Sequence, residues 1–348
     1  MELLDRKQFT SEVISLSTRG EAGERIERAG IPVRALGMRR GPTDILKVLK
    51  LAGWLRASQP DIVQTWMYHA DLLGGFAARL AVGSKIIWNI RHSTFDPDMG
   101  MSTRLIRRAS AWLSSLIPTT IVACAQSAAQ YHTELGYARN KMLVIPNGVD
   151  TDRFRPDAQA NRDVRQKLGI PVSAPVVGLV ARFHPQKDHQ TFVEAAGQML
   201  SSFPDVRFVL CGKGIDEQNE QLVGWIRASG YADQFFLLGH RSDVPRIMAS
   251  FDIATSTSSH GEAFPNVVAE AMASGVPCVV TDVGDSAFIV GDTGVVAQPG
   301  NKKALIDGWL SLISLGPKER KNLGLRARAR VTKEFSLEKM VAYYSSLY

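Results

Sequence analysis

HGEAFPNVVAEAMASGVPCVVT, residues 260–281, is the stretch from which the rest of the chain can be read. A polar, glycine-containing loop passes through Phe264-Pro265-Asn266 into a helix-forming run. The run stops at Gly275, and after Pro277 the chain re-emerges as the apolar strand Cys278 to Thr281. Glu262 lies in the loop and Glu270 about one turn into the helix. A helix start offers unpaired N–H groups and a partial positive charge, so residues 263–267 can meet an anion. A carboxylate accepts hydrogen bonds from neighbouring hydroxyls of a sugar or ribose. On spacing alone, a surface helix with two solvated glutamates fits equally well.

The 348 residues carry 41 Lys/Arg and 34 Asp/Glu, enough chain for two domains with separate cores. The charge is uneven: residues 1–150 hold 19 Lys/Arg against 13 Asp/Glu, and the remainder is nearly balanced. The basic first half points to an anionic partner there. Apolar runs are too short to cross a bilayer and the first residues lack signal-peptide order, so a cytoplasmic protein is expected. Cys124, Cys211 and Cys278 are far apart beside strand-like runs, which fits buried free thiols. Nothing resembles a nucleic-acid reading motif.

Strand and helix patterns alternate from Val13 to Ile145, and again from Val176 to the terminal helical region after Lys302. Two doubly wound α/β domains with parallel sheets follow. The polar stretch Thr151 to Lys167 reads as a connector. Ligands of such sheets bind beyond the carboxyl ends of strands. That favours His69 and His92, each just past a strand, although each also fits a hydrogen-bonded loop histidine. The run MSTRLIRRASAWLSSLI (101–117) sets arginines beside Trp112 and leucines, a membrane-surface composition that a helix packed on the sheet explains as well.

After the strand Val176 to Val180, Arg182 and Lys187 project from a strand-end loop, where two cations either clamp a diphosphate or form a solvated rim. Gly212-Lys213-Gly214 ends the next strand without the spacing of a triphosphate or dinucleotide loop, so a mononucleotide diphosphate suits it better.

Together, Arg182 and Lys187, Gly212-Lys213-Gly214, Leu238-Gly239-His240, Glu262 to Glu270, Gly275 and Thr281-Asp-Val-Gly284 strongly resemble retaining glycosyltransferases of family 4, bacterial surface-polysaccharide branch. The resemblance runs through nearly the whole chain from about Phe9. It implies the GT-B fold: an acceptor domain (1–160) and a nucleotide-sugar domain (161–330) facing a cleft, and a C-terminal helix (331–348) returning to the first. It implies sugar transfer from a nucleotide diphosphate donor, usually UDP-linked, to a lipid-linked saccharide at the inner face of the plasma membrane. Neither cofactor nor metal is expected; Asp96-Pro97-Asp98 only weakly resembles the metal motif of another sugar-transferase class.

Carried over by position, Arg182 and Lys187 hold the diphosphate, Glu270 the ribose and Glu262 the transferred sugar. Gly212, His240 and Ala263, Phe264, Pro265, Asn266 and Val267 line the donor. His92 comes near the sugar, and Trp66, His69 and Asn147 stand on the acceptor side. Two departures matter. Trp66 replaces a small residue or histidine. The family's opening strand and Gly-Gly loop have no counterpart before Met1 to Arg19, so the first sheet is expected to lack its central strand, between the partners of Val13–Leu16 and Ile62–Thr65. Either the chain is a shortened reading of an active enzyme, or it is a paralogue that binds nucleotide without transferring.

Overall fold

The computed structural model describes residues 3–38, 46–81, 83–93 and 100–348. Asp96 and Asp98 lie outside the described residues. The chain divides into two compact units, 1–145 with 341–348, and 146–340.

The first unit opens with β1 (Val13–Ser15), α1 (Gly20–Arg28), β2 (Val33–Ala35), α2 (Leu46–Ser58) and β3 (Ile62–Gln64). It continues with α3 (Tyr68–Ala81), β4 (Lys85–Ile90), α4 (Met101–Leu113), β5 (Thr120–Ala123), α5 (Gln126–Glu134) and β6 (Met142–Val144). Among the described residues all its strands run parallel, in two pieces: a four-stranded sheet β3-β4-β5-β6 and a separate pair β1-β2. The break falls between Val13–Ser15 and Ile62–Gln64, the two runs between which the sequence reading expects a gap. β4 is buried along almost its whole length, as a strand covered on both faces must be. α2 buries Val48, Leu51, Ala52 and Leu55, a single helical stripe.

The second unit runs α6 (Ala158–Lys167), β7 (Val176–Val180), α7 (His189–Leu200), β8 (Arg207–Cys211), α8 (Glu220–Ala228), β9 (Phe235–Leu237) and α9 (Val244–Met248). β10 (Ile253–Ser256), α10 (Asn266–Ala273), β11 (Cys278–Thr281), α11 (Ser286–Val290), β12 (Gly294–Ala297), α12 (Lys302–Ser314) and α13 (Gly316–Glu334) complete it. The sheet order is β12-β11-β10-β7-β8-β9, all parallel. Phe192, Phe208 and Trp309 meet edge-to-face in its core, with centroids 5.4 to 5.7 Å apart. The last helix, α14 (Leu337–Leu347), starts in the second unit and ends in the first.

Two expectations need correction. The boundary lies at Pro146, not 160, and residues up to Met340 group with the second unit. Thr151 to Lys167 is also no connector: its second half is α6, capped by Asp157, whose carboxylate accepts the Ala160 N–H at 2.8 Å. α6 has little apolar surface and is anchored through a buried charge. Arg165 donates to Asp252 at 2.6 Å, and Asp252 also takes Arg320 at 3.1 Å and the Val176 N–H at 2.8 Å. The three cysteines are free and buried, as expected, and burial pushes the Cys278 thiol up to about 12.

Candidate functional site

In the second unit the chain lays down β7, β8 and β9 in one direction, then returns to build β10, β11 and β12 on the other side of β7. The loops after β7 and β10 therefore diverge and leave a crevice at the strands' carboxyl ends. A small pocket there is lined by Val180, Ala181, Lys187, Thr257, Ser258 and Val267.

Backbone and hydroxyl bonds stitch the surrounding loops together. The Phe183 N–H donates to the Lys213 carbonyl at 2.8 Å, and the Gly212 N–H to that of Gly239 at 2.9 Å. Ser259 N–H reaches the Gln186 carbonyl, Thr257 the Lys187 carbonyl and Thr281 the Ser258 carbonyl. Two glycines are required by this closeness. A Cβ on Gly212 would stand 1.9 Å from the Ala181 oxygen; one on Gly284, whose φ is +61°, would stand 2.4 Å from that of Glu262.

The sequence reading treats Lys187 and Glu262 as ligands of different parts of a donor, and the structure joins them. The Lys187 ammonium pairs with Oε1 of Glu262, which is 8% exposed. The buried Ser258 hydroxyl donates to the same oxygen at 2.7 Å. With both contacts on Oε1, Oε2 is the oxygen that can take a ligand hydroxyl. Ser258 is a residue the sequence reading missed: within T-S-T-S-S nothing distinguishes it from its neighbours, and only its position four residues before Glu262 could have drawn attention.

α10 begins directly after this loop. Pro265 precedes it and no side chain caps it, and Val267 in its first turn lines the pocket. Glu270, one turn in, is half-buried, and burial raises its carboxyl above the ordinary range; the Arg153 charge, a second contributor missed in the sequence, pulls the other way. Arg182 is exposed in the loop after β7, and His240 is exposed after β9. Asn147, expected on the acceptor side, belongs to the second unit and donates to Asn266 at the start of α10 at 2.9 Å.

The other candidates lie in the first unit, at the carboxyl ends of β3 and β4. Trp66, His69 and His92 are all exposed. Beneath them Asp71 is fully buried; its Oδ1 accepts the Thr65 hydroxyl at 2.6 Å and the Asn89 N–H at 3.3 Å. Nearby, Tyr68 and His132 share a 2.8 Å hydrogen bond, and burial lowers His132 to about 4.

Residues 160–330 match the family of glycosyl transferases group 1, and residues 1–153 match glycosyltransferase family 4. HepE of Anabaena, solved in complex with UDP, superposes with a TM-score of 0.85 over 97% of this chain and 99% of that one, at 21% identity. The chain belongs to the GT-B glycosyltransferases. Among curated GT-B relatives, the Escherichia coli UDP-Gal:alpha-D-GlcNAc-diphosphoundecaprenol alpha-1,3-galactosyltransferase is 29% identical over 254 residues, covering 71% of this chain and 64% of the relative. The lipopolysaccharide core biosynthesis mannosyltransferase LpsB of Rhizobium meliloti is 27% identical over 252 residues, covering 69% and 70%. This GT-B chain thus spans less than two thirds of the galactosyltransferase's length.

Proposed function

We propose that this chain transfers a sugar, with retention, from a UDP-sugar to a lipid-linked saccharide during cell-surface polysaccharide assembly, without a metal or other cofactor. The observation that carries the reading is the Lys187–Glu262 pair at the switch point between β7 and β10, with Arg182 in the same loop as Lys187. The lipid-linked acceptor and the surface-polysaccharide role are supported by the names of the two curated relatives.

The chemistry follows from charge. As the bond between sugar and diphosphate breaks, negative charge gathers on the leaving phosphate. In this reading Arg182, Lys187 and the α10 N-terminus receive it. Lys187 then exchanges Glu262 for the phosphate, and the released carboxylate accepts hydroxyls of the sugar. Glu270 takes the ribose.

A donor screen with the membrane fraction, reading UDP or GDP release for each sugar nucleotide, tests the proposal. NMR of the product reads retention, and an unchanged rate in excess chelator is expected. Arg182→Ala or Lys187→Ala should each cost at least about 10²- to 10³-fold in turnover, the usual cost of losing one preorganised contact, with the fold intact. Near-normal transfer by either variant would sink the assignment. The opposing reading is nucleotide-sugar binding without transfer. Tight UDP binding by calorimetry with no transfer from any donor would select it.

A further inference from the structure

α10 is followed along one side by the segment that opens the second unit. Asn266, Glu270 and Ala273 stand at i, i+4 and i+7 of this helix and so share one stripe down its length. Residues 147–156 are pinned to both ends of that stripe. At its start Asn147 donates to the Asn266 side chain at 2.9 Å. At its far end a single guanidinium, that of Arg328 in α13, donates to the Ala273 carbonyl and to the carbonyls of Phe154 at 2.9 Å and Thr151 at 3.0 Å. Pro156 closes the run against Gly275, where a Cβ would stand 2.9 Å from the proline ring.

Between these pins the segment makes one tight turn. Asp150 Oδ1 accepts the Arg153 N–H at 2.8 Å and the Asp152 N–H at 3.2 Å, and the Phe154 N–H returns to the Asp150 carbonyl at 2.9 Å. Arg153 itself is exposed, with its guanidinium 5.5 Å from the centre of the Phe154 ring. The turn is therefore anchored one helical turn past Glu270, and the Arg153 charge acts on that carboxyl.

The two glutamates of the crevice are held in opposite ways. Glu262 has one oxygen occupied by Lys187 and Ser258. A carboxylate that takes two neighbouring ribose hydroxyls needs both oxygens, and needs them charged. Half-burial of Glu270 works against the charge. Among the described residues no side chain donates to either of its oxygens, Arg153 included. A cation held near but out of contact favours the charged form and leaves both oxygens to a ligand.

We propose that residues 147–156 form a strap that registers α10, and that Arg153 on this strap is a specificity-determining residue: it keeps Glu270 a charged, unoccupied acceptor and so sets the preference for a ribonucleotide over a deoxyribonucleotide donor. This deepens the proposed function and rests on the ribose role given there to Glu270.

Calorimetry with UDP and 2′-deoxy-UDP tests it. Wild type should bind UDP at least about ten-fold more tightly than the deoxy form, the scale of one hydrogen bond to a charged group, and Glu270→Ala should bring that ratio below about two-fold. Arg153→Ala should cut the wild-type ratio about three-fold and Arg153→Glu about ten-fold, the range of a charge acting near the protein surface. Arg153→Lys should keep it, and Arg153→Ala should change nothing further once Glu270 is alanine. A ratio that R153A and R153E leave at the wild-type value would overturn the inference. So would an equal loss of affinity for both nucleotides, which would make Arg153 a group that attracts phosphate. Either result leaves the reading of Glu270 standing, whereas a wild-type ratio near one removes that reading and the inference with it.

Discussion

At the scale of single residues, the site depends on how one carboxylate is held. Glu262 sits between the Lys187 ammonium and the Ser258 hydroxyl, both on Oε1. Ser258 orients rather than reacts. Ser258→Ala should leave Lys187 paired but let the carboxylate rotate, lowering turnover about ten-fold, the scale of one hydrogen bond to a charged group. UDP affinity should change less than two-fold, and Ser258→Thr should restore part of the rate. Equal losses in UDP affinity and turnover would mean that Ser258 supports the loop rather than the carboxylate. The spacing of Glu262 and Glu270 was legible in the sequence because the helix start and Gly275 frame it. The Lys187–Glu262 contact was not, since 75 residues separate the partners and only the return of the chain to β10 brings them together.

At the scale of elements, Asp71 ties α3 to the ends of β3 and β4 through Thr65 and Asn89. Burial raises it to about 8 from an ordinary value of 3.8. Its contribution to stability is therefore full below about pH 4 and is lost as pH rises towards 8. His132, lowered from 6.5 to about 4, runs the other way: its contribution is full above 6.5 and lost as pH falls to 4. The two oppose each other up to pH 6.5, and above it the Asp71 loss stands alone. Asp71→Asn keeps the Oδ1 acceptor and removes the titration. Its stability relative to wild type in urea should improve from pH 6.5 to 8, by at most about 1.4 kcal/mol per pH unit. Parallel pH profiles would show that the burial of Asp71 has no such consequence. Elements also show where sequence reading stops. β4 and β7 announce themselves as continuous apolar runs, whereas α6 is polar nearly all round. What holds α6 is Arg165 on Asp252, a long-range pair that no local pattern displays.

At the scale of the whole molecule, the alternation of strands and helices foretold two parallel-sheet units, and the described strands of the first form a pair, β1-β2, and a sheet, β3-β4-β5-β6. The allocation of residues 146–160 was not legible, because the Pro-Asn-Gly turn reads as a boundary whichever unit its neighbours join. The closing residues were allotted more nearly. Tyr344 donates to Asn89 of β4 at 2.9 Å, Tyr348 bonds Gln64 of β3, and the Tyr348 ring meets Phe9 at 5.8 Å. Deleting 341–348 leaves Asn89 and Gln64 without these partners. At about 1 to 3 kcal/mol for each group left unsatisfied, the first unit should lose roughly 2 to 6 kcal/mol in denaturant melts, while UDP binding should stay within two-fold. An unchanged melt would mean the tail is dispensable. The same contacts bear on how the protein can be taken apart. The first unit is discontinuous, 1–145 with 341–348, whereas the second is one unbroken run, so a single stretch of chain, 146–340, carries every residue of the nucleotide-side unit and no stretch short of the whole carries the other.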